Sequence, residues 1–278
     1  MAIVLRPLTL LTEHDMNTFK LIALLLLLSQ PLLASADDKS TRAFALDNIT
    51  HIDLRGSGQM LLTRGDQEAL VITATDKMMK NVEIHQKDGT LYLNNRSNGW
   101  NWFDWDNSEE VTFAITLKQL ERLTLTGAAQ VKSTDWTGDR LHIEVTGAGH
   151  INVGTLHINK LTMNLTGASH VNIDQLRGEE LRAELTGASH LSFKQAGEVD
   201  SQQATLAGAS HYNAAPLKTR ATRVTVAGAS NADVYATETL EIEAAGASNV
   251  GYYGTTRAKT SVSGISNAKY RGEAPDAD

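Results

Sequence analysis

From Phe44 onward the chain alternates apolar and polar residues in short runs, among them Ile49-Thr-His-Ile-Asp-Leu54, Gln59-Met-Leu-Leu-Thr63, Leu70-Val-Ile-Thr-Ala74, Val82-Glu-Ile-His85 and Leu91-Tyr-Leu93. A period of two is that of a strand with one buried face. No window repeats apolar residues at helical spacing, so helical crossovers are not expected. Turn chemistry separates the runs: Lys87-Asp88-Gly89 is the stronger hairpin signal, because Gly accepts positive φ. Arg64-Gly65-Asp66 matches the tripeptide known from integrin ligands, yet it stands where a plain turn is expected.

In the second half the alternation becomes a repeat. Gly127, Gly147, Gly167, Gly187, Gly208, Gly228, Gly246 and Gly264 each open a Gly-Ala-Ser-His-like tetrapeptide, at intervals of 20, 20, 20, 21, 20, 18 and 18 residues. An alternating strand precedes each Gly, such as Leu141-His-Ile-Glu-Val145, Leu161-Thr-Met-Asn-Leu165 or Leu181-Arg-Ala-Glu-Leu185. A second short strand follows, such as Ile151-Asn-Val153 or Val171-Asn-Ile173, and then a polar turn. Strand-only units of this length stack as rungs, because one unit cannot bury both of its faces. The pattern predicts an all-β fold: a right-handed parallel β-helix of about 20-residue rungs. The expected organisation is an irregular N-terminal β region with a first coil over residues 37–120, β-helix repeats over 121–272 and a polar tail over 273–278. Gly56-Ser57-Gly58 reads as a degenerate first member. The repeated Gly is expected at a corner that needs positive φ or an approach too close for a Cβ.

The fourth position of the tetrapeptide forms a column: Gln130, His150, His170, His190, His211, Asn231, Asn249 and Asn267. If alternation persists through the corner, this column faces out and the preceding Ser169, Ser189, Ser210, Ser230, Ser248 and Ser266 face in; if the corner flips parity, the two exchange roles. Four histidines at one rung position invite a metal reading, since imidazole ligates zinc, copper and nickel. Side chains of successive rungs project in parallel rather than converging, and Asn is a weak ligand. A structural ladder of stacked, hydrogen-bonding side chains is therefore expected, with no metal and no other cofactor.

Between Asn94 and Glu110 the alternation breaks. Trp100, Trp102 and Trp105, with Phe103 among them, place three of the chain's four tryptophans in six positions, although aromatics make up only 5% of the residues. Clustered aromatics among Asn, Asp, Ser and Gly suit stacking on a sugar ring or anchoring an interface. The competing reading is that the rings plug an open end of the stack.

Residues 16–36 have the build of a secretory signal: Lys20, the apolar core Leu21 to Leu28, Pro31, and Ala34-Ser35-Ala36 as a small-x-small cleavage site. Residues 1–15 then read as an over-long start. The apolar core is short of the ~20 residues that a membrane span needs, and no later segment is continuously apolar. The chain has no cysteine, which removes disulfides, thiol nucleophiles and an acylated N-terminal cysteine. Its net charge is −7, and loss of residues 1–36 takes two basic and two acidic residues and leaves that unchanged. An acidic balance without a basic cluster argues against nucleic acid and anionic membrane as partners.

No calcium nonapeptide, nucleophile elbow, phosphate loop, dinucleotide fingerprint or zinc-protease motif occurs. Glu144, Glu184 and Glu243 are single strand positions rather than an acid/base pair. Polysaccharide lyases and hydrolases build charged sites on parallel β-helices, so an enzyme remains the alternative.

Phe44 followed by Ile49 and Ile52, Gly56-Ser-Gly58 leading to Leu61-Leu-Thr-Arg-Gly-Asp66, Asp88-Gly-Thr-Leu91 and the Leu-x-Leu-x-Gly repeats from Leu123 together carry a resemblance. Over about residues 41–272 the chain resembles the head GIN domain family, exported bacterial proteins described as autotransporter-adhesin heads. The resemblance implies a β-helical fold at or outside the cell envelope and brings no catalytic residues. The Trp-rich insertion and the His column are departures from the family pattern. The expected function is that of an exported, non-catalytic binding or adhesion protein, periplasmic or at the cell surface, with a glycan or surface protein as ligand. The alternative is a carbohydrate-active enzyme on the same scaffold, and a purely structural envelope role comes third.

Overall fold

The computed structural model describes residues 39–95, 110–255 and 257–275. The expected leader and the Trp100–Trp105 cluster lie outside these. Strands account for 75% of the fold, and parallel pairing between successive coils builds a β-solenoid of about eight turns.

The first continuous rung of the solenoid is β2 (His51–Arg64), as Gly56-Ser57-Gly58 foreshadows. The next coil, β7 (Arg122–Ser133), lies parallel on it, with Gly56 against Gly127. Below β2 the rung is made of two pieces: β5 (Thr90–Asn95) pairs with its first half and β6 (Thr112–Leu117) with its second. The irregular N-terminal region is antiparallel. β1 (Lys39–Ala45) pairs with β3 (Ala69–Thr75), which pairs with β6, while β4 (Val82–Lys87) and β5 form the hairpin expected at Asp88-Gly89. Asp88 at φ 49° and Gly89 at φ 72° make that turn. One helical turn, α1 (Asp76–Met79), follows β3; Thr75 caps it by accepting from the Met78 amide, and its four residues are too few to leave a periodic signal.

Above β7 the coils are β8 (Trp136–Gly147), β9 (His150–Gly167), β10 (His170–Gly187), β11 (His190–Phe193) with β12 (Gly197–Gly208), β13 (His211–Val226), β14 (Asn231–Ala244), β15 (Asn249–Tyr253) with β16 (Lys259–Val262), and β17 (Asn267–Gly272). Where sequence suggests two short strands and a turn, β9 and β10 each run 18 residues, because most of the turn residues stay paired to the rung below. The core is a set of in-register apolar columns. One runs Leu54, Leu125, Val145, Leu165, Leu185, Leu206, Val226, Ala244, all buried. Each fully buried Leu or Val contributes about 1.5–3 kcal/mol, and every rung repeats the contribution.

The corner column of glycines has positive φ throughout, +91° at Gly187 for example. A Cβ there would stand 2.5 Å from the carbonyl oxygen of Gly167, the equivalent residue one rung below. Gly is thus held by conformation and by proximity together.

Candidate functional site

Alternation persists through the corner, so the Ser column faces the core and the Gln/His/Asn column faces out. Ser169, Ser189, Ser210, Ser230 and Ser248 are buried. Their hydroxyls donate across the corner and down the stack, as when Ser189 Oγ reaches Thr186 O at 3.0 Å and Gly167 O at 3.4 Å. The hydroxyl thus adds a second donor to a corner carbonyl that already accepts from the Ala188 amide, and is itself satisfied in the core.

Outside, Gln130, His150, His170, His190, His211, Asn231, Asn249 and Asn267 are mutual partners from rung to rung. The four imidazoles stack nearly face to face, with centroids 4.9, 4.3 and 4.8 Å apart and interplanar angles of 0°, 9° and 8°. Asn249 Nδ2 donates to Asn231 Oδ1 at 3.2 Å, continuing the ladder as an amide chain. Two residues on, a second outward column carries Asn152, Asn172 and Ser192; Asn172 Nδ2 donates to Asn152 Oδ1 at 3.0 Å and Ser192 Oγ to Asn172 Oδ1 at 2.7 Å. The solenoid therefore presents a polar strip two columns wide. Partial burial, and then the neighbouring rings, keep the inner imidazoles neutral: desolvation pushes His190 down to about 4, with His170 and His211 adding to it, and His170 is lowered by desolvation and then by His150. Among the described residues no group of three or more His, Asp or Glu is placed to share a metal ion.

The ladder is longer than its repeat suggests. Gln130 sits on Gln59 and Gln59 on Thr112, two members that sequence reading missed because neither follows a Gly-Ala-Ser tetrapeptide. The signal available was Gly56-Ser57-Gly58, which fixes Gln59 as the equivalent residue.

A lateral face of the upper coils carries a groove of about 530 Å³ that crosses successive rungs. Its floor includes Gln202 and Thr222, only 3% and 4% exposed. Its carboxylates are engaged: Glu180 with Arg182, Glu238 with Arg220 at 3.0 Å, and Glu241 with Arg223 at 2.7 Å and Lys259 at 3.1 Å. The Lys259 hydrogen bond, with the charges of Arg223 and Lys259, holds Glu241 below the usual carboxylate range. A general acid needs the opposite shift, so the ion-paired Glu241 is not poised to protonate a leaving group.

The chain matches the family described as "putative auto-transporter adhesin, head GIN domain" over residues 48–256. It belongs to the head GIN domain family. That span holds the ladder from Gln59 to Asn249 and all of the groove except Arg257 and Lys259. Solved structures of similar fold include a "putative adhesin" from Parabacteroides merdae (TM-score 0.71, 16% identity, covering 84% of this chain and 96% of that one). Another from Parabacteroides distasonis gives TM-score 0.70 at 15% identity, with the same coverage. A "putative lipid binding protein" from P. distasonis gives 0.66 at 18%, covering 84% of this chain and 97% of that one. At these identities the likeness is one of fold. No curated protein matches the chain in sequence.

Within the head GIN fold the expected ladder residues come together in one column. The expected binding residues Trp100, Trp102, Phe103 and Trp105 lie outside the described residues. The described chain on either side of them ends in β5 and resumes just before β6, the two strands that underlie the halves of β2. Among the described residues, no helix is long and apolar enough to cross a membrane.

Proposed function

We propose that this head GIN protein is exported and works by adhesion, holding a glycan or a surface protein without transforming it. The observation that carries the reading is the outward ladder. Ten side chains, from Thr112 through Gln59 to Asn267, repeat at rung spacing along one face. Rungs stand about 4.8 Å apart, and such a strip suits an extended, repetitive ligand better than a small substrate. Family membership supports an adhesin-like role, and the paired carboxylates offer no support for acid/base chemistry. A lipid ligand, by analogy with one structural neighbour, finds less support, because the strip is built of imidazole and amide groups. Residues 16–36, with their signal-like pattern, are the support for export, to the periplasm or the cell surface. The tryptophan cluster would add stacking surface for a sugar or partner.

The test is an array of glycans and envelope proteins probed with residues 37–278. Saturable retention on a defined ligand, weakened by replacing His170 and His190 with Asn or by truncating the tryptophans, is expected. A chain that binds nothing on such arrays, while fully folded, would leave only the structural envelope role.

A further inference from the structure

We infer that the lateral groove of the upper coils is a binding site for a neutral oligosaccharide lying along the solenoid axis. The inference rests on the adhesion reading and adds to it, apart from the ladder, a second contact with a named class of ligand.

The groove arises from two column changes that fall on the same rungs. In the lower coils the outward residue seven positions before the Gly corner is long: Arg140, Lys160 and Glu180 stack in register. In the next three it is small: Ser201, Ala221 and Thr239. The wall therefore steps down into a trench. The inward neighbours change with it. Leu141, Leu161 and Leu181 give way to Gln202 and Thr222, and the column returns to apolar at Leu240. Two buried polar residues in an otherwise leucine column are costly unless they are used. Part of their use is internal: Gln202 Oε1 accepts from the buried Tyr212 hydroxyl at 3.1 Å, and Thr222 Oγ1 meets Thr219 Oγ1 at 2.5 Å. The remainder is open, because Gln202 Nε2 is buried with no hydrogen-bond partner.

The lining defines the ligand. Glu180, Glu238 and Glu241 face Arg223, Arg257 and Lys259, so acids and bases balance. A polyanion or polycation would meet as much repulsion as attraction. A chain of hydroxyls, each both donor and acceptor, can engage carboxylate and guanidinium groups alike. Arg257, which pairs with no carboxylate among the described residues, offers its fork to vicinal hydroxyls. Ala221, half-buried between the longer side chains, supplies a small aliphatic patch for the C–H face of a ring. A peptide would seek a free strand edge; from Glu180 to Glu241 the strands of the trench already pair on both sides, and β16, at its upper end, pairs among the described residues with β14 alone. Rungs advance by about 4.8 Å, so a trench that crosses successive rungs is long enough to seat several sugar rings end to end.

The neighbouring rungs provide the variants. Ala221→Lys restores the long side chain found at Lys160 and fills the trench from a half-buried position, and Gln202→Leu restores the leucine column. The purified protein is titrated calorimetrically with cellohexaose, mannohexaose, xylohexaose and hexagalacturonate. At least one neutral hexaose is expected to bind saturably. Ala221→Lys should raise its Kd at least about tenfold, a loss of about 1.4 kcal/mol, with an unchanged melting temperature, and Gln202→Leu, made together with Tyr212→Phe so that no buried tyrosine hydroxyl is left without its acceptor, should raise it severalfold. Binding of no neutral hexaose, preference for hexagalacturonate alone, or an unchanged Kd in both variants would overturn the assignment. If Ala221→Lys leaves surface or glycan binding intact while His170→Asn with His190→Asn abolishes it, the groove is wrong and the adhesion reading stands. If the protein retains no glycan or envelope protein on the arrays, both fail.

Discussion

Replacing Gly187 with Ala probes the corner that every rung shares. Gly187 has φ +91°, and a Cβ built on it would lie 2.5 Å from Gly167 O and 3.3 Å from that residue's carbonyl carbon. Backbone atoms of the rung below cannot rotate away as a side chain could. Holding a non-Gly residue in this conformation costs about 1–3 kcal/mol. The same carbonyl oxygen accepts from the Ala188 amide at 2.7 Å and from Ser189 Oγ at 3.4 Å. Displacing it loosens a buried hydrogen bond, for a further ~1–3 kcal/mol. The expected total is about 2–6 kcal/mol, read from urea midpoints and slopes. Gly138→Ala is the matched control: Gly138 lacks a positive φ and a Cβ would meet only Ile158 Cδ1 at 3.6 Å, ordinary contact, so the change should be neutral or stabilise by about 0.4–1 kcal/mol. Equal midpoints for the two variants would refute the claim that the corner is held by backbone proximity.

Acidification should weaken the fold through the imidazole ladder. Because the folded pKa of His190 lies at about 4, below the ordinary value of about 6.5, its stabilising share is complete above about pH 6.5 and is lost as pH falls toward 4. With solvent screening of the half-exposed ring allowed for, His190 should contribute ~1–2 kcal/mol of that loss. His190→Asn should flatten the pH dependence of the urea midpoint in this window, and an unchanged slope would count against the stack. Zinc or nickel should leave the melting temperature where it is, since a native-state ligand at 100 times its Kd would add about 2.7 kcal/mol. A metal-dependent rise lost in His170→Asn with His190→Asn would make the ladder a metal site. Changing Trp100, Trp102 and Trp105 together to Ala should abolish ligand capture with little change in melting temperature. Loss of several kcal/mol instead, at about 3–5 for each buried aromatic truncated, would mean that the rings cap the stack.

The solenoid could be read from sequence because each rung repeats the same local instructions. The positive-φ Gly, the inward Ser and the apolar alternation recur, and every copy confirms the others. The hairpin at Asp88-Gly89 and the degenerate first corner at Gly56 were equally legible. The antiparallel pairing of β1, β3 and β6 was not, because half-buried strands alternate alike whichever way their neighbours run. The direction in which the ladder faces stayed open as well: parity through a Gly corner depends on backbone angles that composition does not encode. The groove escaped notice for another reason. Gln202 and Thr222 look like ordinary polar strand residues until their register against Leu161 and Leu181 is known, and the small Ser201 and Ala221 matter only beside the longer Lys160 and Glu180 below them.

The central claim, binding without turnover, is tested most directly by incubating the protein with a panel of soluble polysaccharides and measuring retention and new chain ends in the same samples. The account predicts saturable retention on at least one polysaccharide and no chain ends above the protein-free control. Chain ends that accumulate with time and protein concentration, and that vanish in Glu241→Gln, would contradict it.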